Sequence, residues 1–281
     1  MTERLADLNA RIDGVTQLGA VVNAMRGIAA ARAQQARNRL TAVDEYAQTL
    51  AQAIGTALTL APAPEDGSSA PRRQCALVAF VAEQGFAGAY SERLFDAIAQ
   101  DAAASSLLLV GTRGAAIARE RGIASLWQDA LPAHPDGVPQ LAERIVQALL
   151  ERIASGSVQS VRLLHAQAQP DHALHIVQRS LLPLDRQEFL PPSPAQQMPL
   201  LNLGAARLVA ELGEDYLHAQ ICRAALHAFA AENDARMQAM ASARTQIEHL
   251  LDTLQTRQRQ LRQEEITAEI IELAAGAQAA G

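Results

Sequence analysis

Two glycine-bearing turns hold the residues whose types could do chemistry. EQGFAGAYS, residues 83 to 91, follows an apolar run and precedes a helical pattern, which is where a phosphate loop sits. Its Gly85 and Gly88 do not complete G-x-G-x-x-G, and GTRGAAIARERG, residues 111 to 122, completes no such fingerprint either. The chain has no lysine, so it cannot supply a Walker lysine; all 24 basic residues are arginine. Both stretches are therefore read as glycine-rich turns at strand ends. His165, His172 and His175 fall on or between candidate strands, and His218 and His227 on a long helical segment. No cysteine or carboxylate joins His172 and His175 at ligand spacing, and they are read as surface or strand-face residues. Cys75 and Cys222 lie far apart without metal spacing, which predicts free thiols in a reducing compartment. No serine, cysteine or carboxylate stands in a catalytic frame. No catalytic, cofactor-binding or metal-ligating residue is expected, nor any cofactor, and the chain is not expected to be an enzyme by itself.

Charge carries more information. The net charge is −6, so neither nucleic acid nor an anionic membrane is an expected partner. No signal peptide and no apolar run near ~20 residues is present, which predicts a chain that neither spans a membrane nor is secreted by the usual route. From Gly14 to Val43 there is no acidic residue, while Arg26, Arg32, Arg37 and Arg39 are present. Thr253 to Gln263 repeats the pattern with Arg257, Arg259 and Arg262. A charge run is usually a solvated face. The exclusion of acids is better explained by partner loops of opposite sign.

The elements that position these residues are outlined by proline. All twelve prolines fall between Pro62 and Pro199, which divides the chain into a helix over 1–60, a mixed domain over 72–195 and a helix over 205–281. Only 3% of residues are aromatic against 49% hydrophobic, a balance that favours long helices with small contact faces. The first helix could reach about 85 Å and the last about 110 Å. In the centre, APAPEDGSSAPRR reads as a linker. Strands are predicted at 75–82, 106–111, 123–127, 161–167 and 173–182, with helices near 91–104, 113–121 and 138–154, and LPPSPAQQMP returns the chain to the last helix. This alternation predicts an α/β layer with a largely parallel, Rossmann-like sheet, inserted into a long antiparallel coiled coil of the terminal helices.

The terminal stripes are narrow, and each needs the other for burial. Leu5, Leu8, Ile12, Val15, Val22 and Met25 line the first; Met240, Ile247, Leu254 and Leu261, with Met237 and Leu251, line the second. Leu8 with Leu254, Val15 with Ile247 and Val22 with Met240 each sum to 262, the constant expected of facing residues in an antiparallel pair. Gly14, Gly19, Gly27, Asn233 and Arg244 interrupt the seam and are read as sites of close helix approach. In that register everything after Leu261 overhangs. The overhang ends in ITAEIIELAAGAQAAG, a nearly featureless apolar tip with Ile266, Ile270, Leu273 and Ala277 on one stripe.

ITAEIIELAAGAQA, Ile266 to Ala279, fits a pattern of Ile-Thr, any residue, Glu, two residues, Glu, three residues, Gly-Ala, any residue and a small or basic residue. With it the chain resembles the gamma subunits of the rotary F-type ATP synthases, the central stalk. ENDARMQAM (232–240) is similar to that family's Ala-Arg-Met-x-Ala-Met segment, RIDGVTQLGAVVNAMRGIAAAR (11–32) to its first helix, and EQGFAGAY to its Asp-Arg-Gly-Leu-Cys-Gly-Gly-Tyr turn. The sequence departs from the family's pattern at Ala20 and Asn23, where lysines are usual, at Arg244, Thr245 and Gln246 in place of Thr-Asp-Asn, and at QRQLRQ, which retains Arg262 and Gln263. These departures mark a divergent bacterial member.

The resemblance implies a non-catalytic rotor shaft that couples ion flow through a membrane ring to ATP chemistry in an alpha and beta collar. It implies partners in the alpha and beta subunits, the epsilon subunit and the membrane c-ring. One copy would stand in each complex, peripheral to the cytoplasmic face of the inner membrane. The family's stator contacts map onto Met25, Arg26 and Arg236 at one level, and onto Arg262, Gln263, Thr267 and Glu269 at another. The tip would sit as an axle end in the collar. Two other classes stay open: a coiled-coil scaffold or adaptor, and an α/β nucleotide-binding enzyme with helical dimerisation arms.

Overall fold

A computed structural model describes residues 2–60, 74–101, 104–169, 174–189 and 203–279. The stretches read as linkers, APAPEDGSSAPRR and LPPSPAQQMP, lie outside the described residues, as does His172. Helix α1 spans Thr2–Leu60, followed by β1 (Cys75–Phe80), α2 (Tyr90–Gln100), β2 (Ala104–Val110), α3 (Thr112–Glu120) and β3 (Trp127–Asp129). Helix α4 (Val138–Ala154), β4 (Ser160–Ala168), β5 (Leu174–Leu182) and α5 (Ala205–Ala279) complete the order. The chain forms two compact units, one of residues 30–236 and one of 1–29 with 237–281, and α1 and α5 contribute to both.

In the unit of residues 30–236 the strand order is β3-β2-β1-β4-β5. The first four strands are parallel and β5 runs antiparallel to β4. All six residues of β1 are buried, as expected of a parallel strand covered on both faces. Alternation splits them cleanly. Ala76, Val78 and Phe80 join Leu108 and Val110 on one face, packed by Leu141, Ile145 and Leu149 of α4 and by Ile221 and Phe229 of α5. Leu77, Ala79 and Val81 join Leu107 and Leu109 on the other, packed by Tyr90, Leu94 and Phe95. Burial of each Leu or Ile contributes roughly 2 kcal/mol. Two predicted boundaries shift. Helix α2 stops at Gln100 rather than 104, where Asp101 turns to bind Arg162 at 2.7 Å and Gln178 at 2.8 Å. The weak third strand is Trp127–Asp129 rather than 123–127: the Leu126 N–H opens the ladder on the Leu107 carbonyl at 2.8 Å, and Trp127 is the first residue in register with β2.

In the unit of residues 1–29 and 237–281, Val22, Met240 and Ile247 are buried together, with Val15, Met25, Ala243 and Leu251 against them. Asn9 accepts from Gln258, and Asn23 from Arg244 at 3.2 Å; both pairs sum to 267. A side chain at Gly19 would begin 3.3 Å from Ile247, a pair summing to 266. The register is therefore displaced by four to five residues from the expected 262, about one helical turn. Apolar stripes recur every three to four residues, so a shift of one turn returns the same face and periodicity alone does not tell the two registers apart. Gly19 breaks the tie by leaving a hole that Ile247 fills. Gly14 and Gly27 differ from it: nothing stands within 4 Å of a side chain built at either.

Candidate functional site

The carboxyl ends of parallel strands, where strand order reverses between β1 and β4, are the usual place for a ligand in an α/β sheet. Here that place is occupied by the chain's own carboxylates. Glu83, just past β1, accepts the Thr112 N–H at 2.9 Å and the Leu131 N–H at 2.8 Å on Oε2, and the Thr112 hydroxyl at 2.9 Å on Oε1. Its charge thus sits at the amino end of α3, satisfying donors that a phosphate would otherwise take. Gly111 makes this approach possible. With φ of 124° it adopts a backbone that side chains disfavour, and a side chain there would meet the Val81 carbonyl at 2.4 Å.

A second carboxylate closes the same edge from α5. Glu232, 2% exposed, accepts the Glu83 N–H at 2.9 Å and the Gln84 N–H at 3.0 Å. Arg236 donates to Glu232 at 2.5 Å, to Asn233 at 3.0 Å and to the Gly85 carbonyl at 3.1 Å. Asp234, also buried, pairs with Arg37 of α1. Tyr90 donates to the Ala228 carbonyl at 3.3 Å. Its phenol is held well above the usual range by burial first and by the Glu232 charge second. Between Arg32, Glu83, Pro132, Glu232 and Arg236 a cavity of about 10 Å³ remains, the volume of about one water.

The seven residues expected at partner contacts fall in both units. Met25 is half-buried beside the Val22, Met240 and Ile247 cluster, and Arg26 is half-exposed. Arg262, Gln263, Thr267 and Glu269 are exposed on α5. Arg262 and Glu269, seven apart, share one face; Gln263 and Thr267, four apart, share the adjoining one, and Thr267 donates back to the Gln263 carbonyl at 2.7 Å. Arg236 stands apart from them, 5% exposed and with its donors bound inside the unit of residues 30–236. The arginine bands divide in the same way. Arg37 and Arg39 pair with the chain's own Asp234 and Asp136, so for those two the acidic partner is internal. Arg257 and Arg259 are exposed and bond within their own helix among the described residues, to Gln260, Thr256 and the Gln255 carbonyl.

Of the histidines, His165 on β4 stacks on His227 of α5 with ring centroids 5.6 Å apart. Burial lowers both to about 4, with the Arg223 charge adding to it in each case. His218 bonds the Pro139 carbonyl at 3.1 Å, and His175 is exposed on β5. Among the described residues no three His, Cys, Asp or Glu side chains are grouped to hold a metal. Cys75 and Cys222 are buried and unpaired with each other, and burial pushes the Cys222 thiol up to about 12. Sequence reasoning missed Glu83, Glu232 and Asp234 as a set. The available signal was Glu-Asn-Asp at 232–234, three polar residues in succession after an alanine-rich apolar run, of which only Asn233 stood out as a seam defect.

The model of a protein family described as ATP synthase matches residues 4–280. A protein named ATP synthase gamma chain from Bdellovibrio bacteriovorus is 25% identical over 292 residues, covering 98% of both chains. One of the same name from Streptomyces avermitilis is 28% identical over 288 residues, covering 96% of this chain and 93% of its own. Among solved structures, a chain from the OSCP/F1/c-ring of the Euglena gracilis mitochondrial ATP synthase superposes with a TM-score of 0.68 at 12% identity. The match covers 99% of this chain and 95% of that one. A chain of the rotor from the same source gives 0.64 at 13% identity, covering 95% and 100%.

Proposed function

Since the chain belongs to the ATP synthase gamma family, we propose a full reading of it as the central shaft of that machine and assign its surfaces accordingly. It is a non-catalytic subunit of the ATP synthase, a membrane-associated complex, and couples ion flow through the membrane ring to ATP synthesis and hydrolysis. No helix among the described residues is long and apolar enough to cross a membrane, which fits a subunit carried by its partners. The observation that carries the mechanical reading is the closed strand edge: where an α/β enzyme would hold a phosphate, Glu83 and Glu232 already take the backbone donors. A coupling shaft acts by stabilising a different conformation of each catalytic subunit in turn. That requires surfaces and stiffness and no pocket.

In this proposal the terminal helices form an antiparallel coiled coil over 1–60 and 205–281, and 72–195 is a Rossmann-like insert that engages the epsilon subunit and the c-ring. The alpha and beta collar surrounds the end of α5. Arg262, Gln263, Thr267 and Glu269 meet stator loops at one level, Met25 and Arg26 at another. Arg236 is the third residue assigned to stator contact there, and within its own unit it donates to the Gly85 carbonyl. One copy stands in each complex, on the cytoplasmic face of the bacterial inner membrane. Exposure of Ile266, Ile270, Ile271 and Leu273 at 55, 60, 63 and 75% supports enclosure of the tip by a partner.

The test is reconstitution. The purified chain is expected to show no steady ATP turnover alone and to co-purify with alpha and beta subunits, conferring ATP-driven ion pumping on the assembled complex. Turnover by the homogeneous chain, free of alpha and beta subunits, would defeat the reading.

A further inference from the structure

Seven polar or charged residues are buried among the described residues, and four of them, Glu232, Asn233, Asp234 and Arg236, fall on one turn of α5. A buried charge is costly unless it is paired. Each charge here is paired, and the directions of the pairs are informative. At about 100° per residue, Glu232 and Arg236 lie about 40° apart on one side of the helix, and Asp234 projects from the opposite side, about 200° from Glu232. The first two grip the turn after β1, through the N–H groups of Glu83 and Gln84 and the carbonyl of Gly85. Asp234 grips Arg37 of α1. Asn233, between them, is turned back onto the Phe229 carbonyl at 2.8 Å and receives Arg236 at 3.0 Å, so it stiffens the turn itself.

The helix just before this turn is built mostly of small residues, keyed at Phe229, at the His165–His227 stack and at the Arg223–Asp44 ion pair. Five of the eight residues from 224 to 231 are alanine, and small, smooth side chains leave few knobs to resist rolling or sliding against neighbours. Hydrogen bonds to ions are directional and fix an angle. We propose that residues 232–236 are a torque lock: they hold the azimuth of α5 against β1 and α1, so that the α/β layer and the helix turn as one. Glu232, Asp234 and Arg37 are then positioning residues for coupling, and none of them touches a substrate. The inference rests on the shaft reading and adds the place where twist passes into the helix.

The test uses the assembled, membrane-bound complex carrying Arg37→Gln, Asp234→Asn or Glu232→Gln, and reads the ratio of ATP-driven ion pumping to ATP hydrolysis beside the melting temperature. The expected result is hydrolysis retained and the ratio lowered severalfold. Arg37→Gln with Asp234→Asn should be no worse than either alone, because both remove the same tie. Ile145→Val, a core truncation away from the lock, should lower the melting temperature and leave the ratio intact. Arg37→Gln with Asp234→Asn leaves no unpaired charge in the interior, so the double variant assembles even where a single one does not. An unchanged ratio in Arg37→Gln overturns the lock, as does a fall matched by Ile145→Val at equal loss of stability. Failure of the shaft reading looks different: the complex would then pump equally well with the chain left out.

Discussion

The side chains divide by where their hydrogen bonds end, and that division predicts which substitutions disturb folding and which disturb coupling. Arg236 and Glu232 end inside their own unit. Arg262 and Gln263 are exposed, with no side-chain hydrogen bond among the described residues. Arg262→Ala with Gln263→Ala should therefore leave the unfolding free energy of the isolated subunit within about 0.5 kcal/mol of the parent and reduce ATP synthesis by the assembled complex. A large loss of stability with synthesis intact would reassign both residues to internal contacts. The stacked pair His165 and His227 makes an opposite kind of claim. Both are held near 4, below the ordinary 6.5, so the fold favours their neutral forms. Above pH 6.5 neither state of the chain is protonated there and nothing is lost. Between 6.5 and 4 the unfolded chain takes up the protons first, and stability falls, by on the order of 3 kcal/mol for His165 alone. Urea unfolding at pH 7 and at pH 4.5 should show a smaller loss for His165→Gln with His227→Gln than for the parent. Equal losses would mean that the pair is solvated.

At the level of elements, much of the architecture could be read from the sequence because each signal has its own period or its own breaker. Proline confined to the centre marked both long helices, and the alternation of β1 and β4 with helical patterns marked the parallel sheet. Two things could not be read. The seam register escaped because Val15 and Gly19 lie one turn apart on the same stripe, and only the hole above Gly19 selects between them. The closed strand edge escaped because Glu83 and Glu232 are 149 residues apart in sequence and meet only through the topology. Arg37 and Asp234 escaped for the same reason. The observed register makes a sharp expectation. With Cys75 and Cys222 removed, Gly19→Cys and Ile247→Cys should form a disulfide, whose two side chains must approach within about 4.5 Å at Cβ. Ile12→Cys with Ile247→Cys, displaced by seven residues or about 10 Å, should stay reduced. Selective oxidation of the second pair would restore a register nearer the one the stripes alone imply. Oxidation of the first should leave hydrolysis by the complex running, since a shaft stapled to itself still turns.

For the whole molecule, the absence of lysine and the carboxylate-filled strand edge work in one direction: Glu83 and Glu232 take the backbone donors at the mouth of the sheet, and Arg236 is committed to Glu232. Removing the two carboxylate charges is a direct check. Glu83→Gln with Glu232→Gln should not create ATP binding by the isolated chain in equilibrium dialysis, because Arg236, Phe229 and Pro132 leave a space of about one water there; measurable binding would show that charge alone had kept the nucleotide out. The uncovered end of α5 has a consequence for the cell. Ile266, Ile270, Ile271 and Leu273 offer exposed apolar surface on any copy made without the partner proposed to enclose it. Such an orphan is a natural client for chaperones and proteases, or for clumping with its own kind. Under the proposed enclosure, supply of this chain in step with the partner that covers the tip keeps that apolar surface from water.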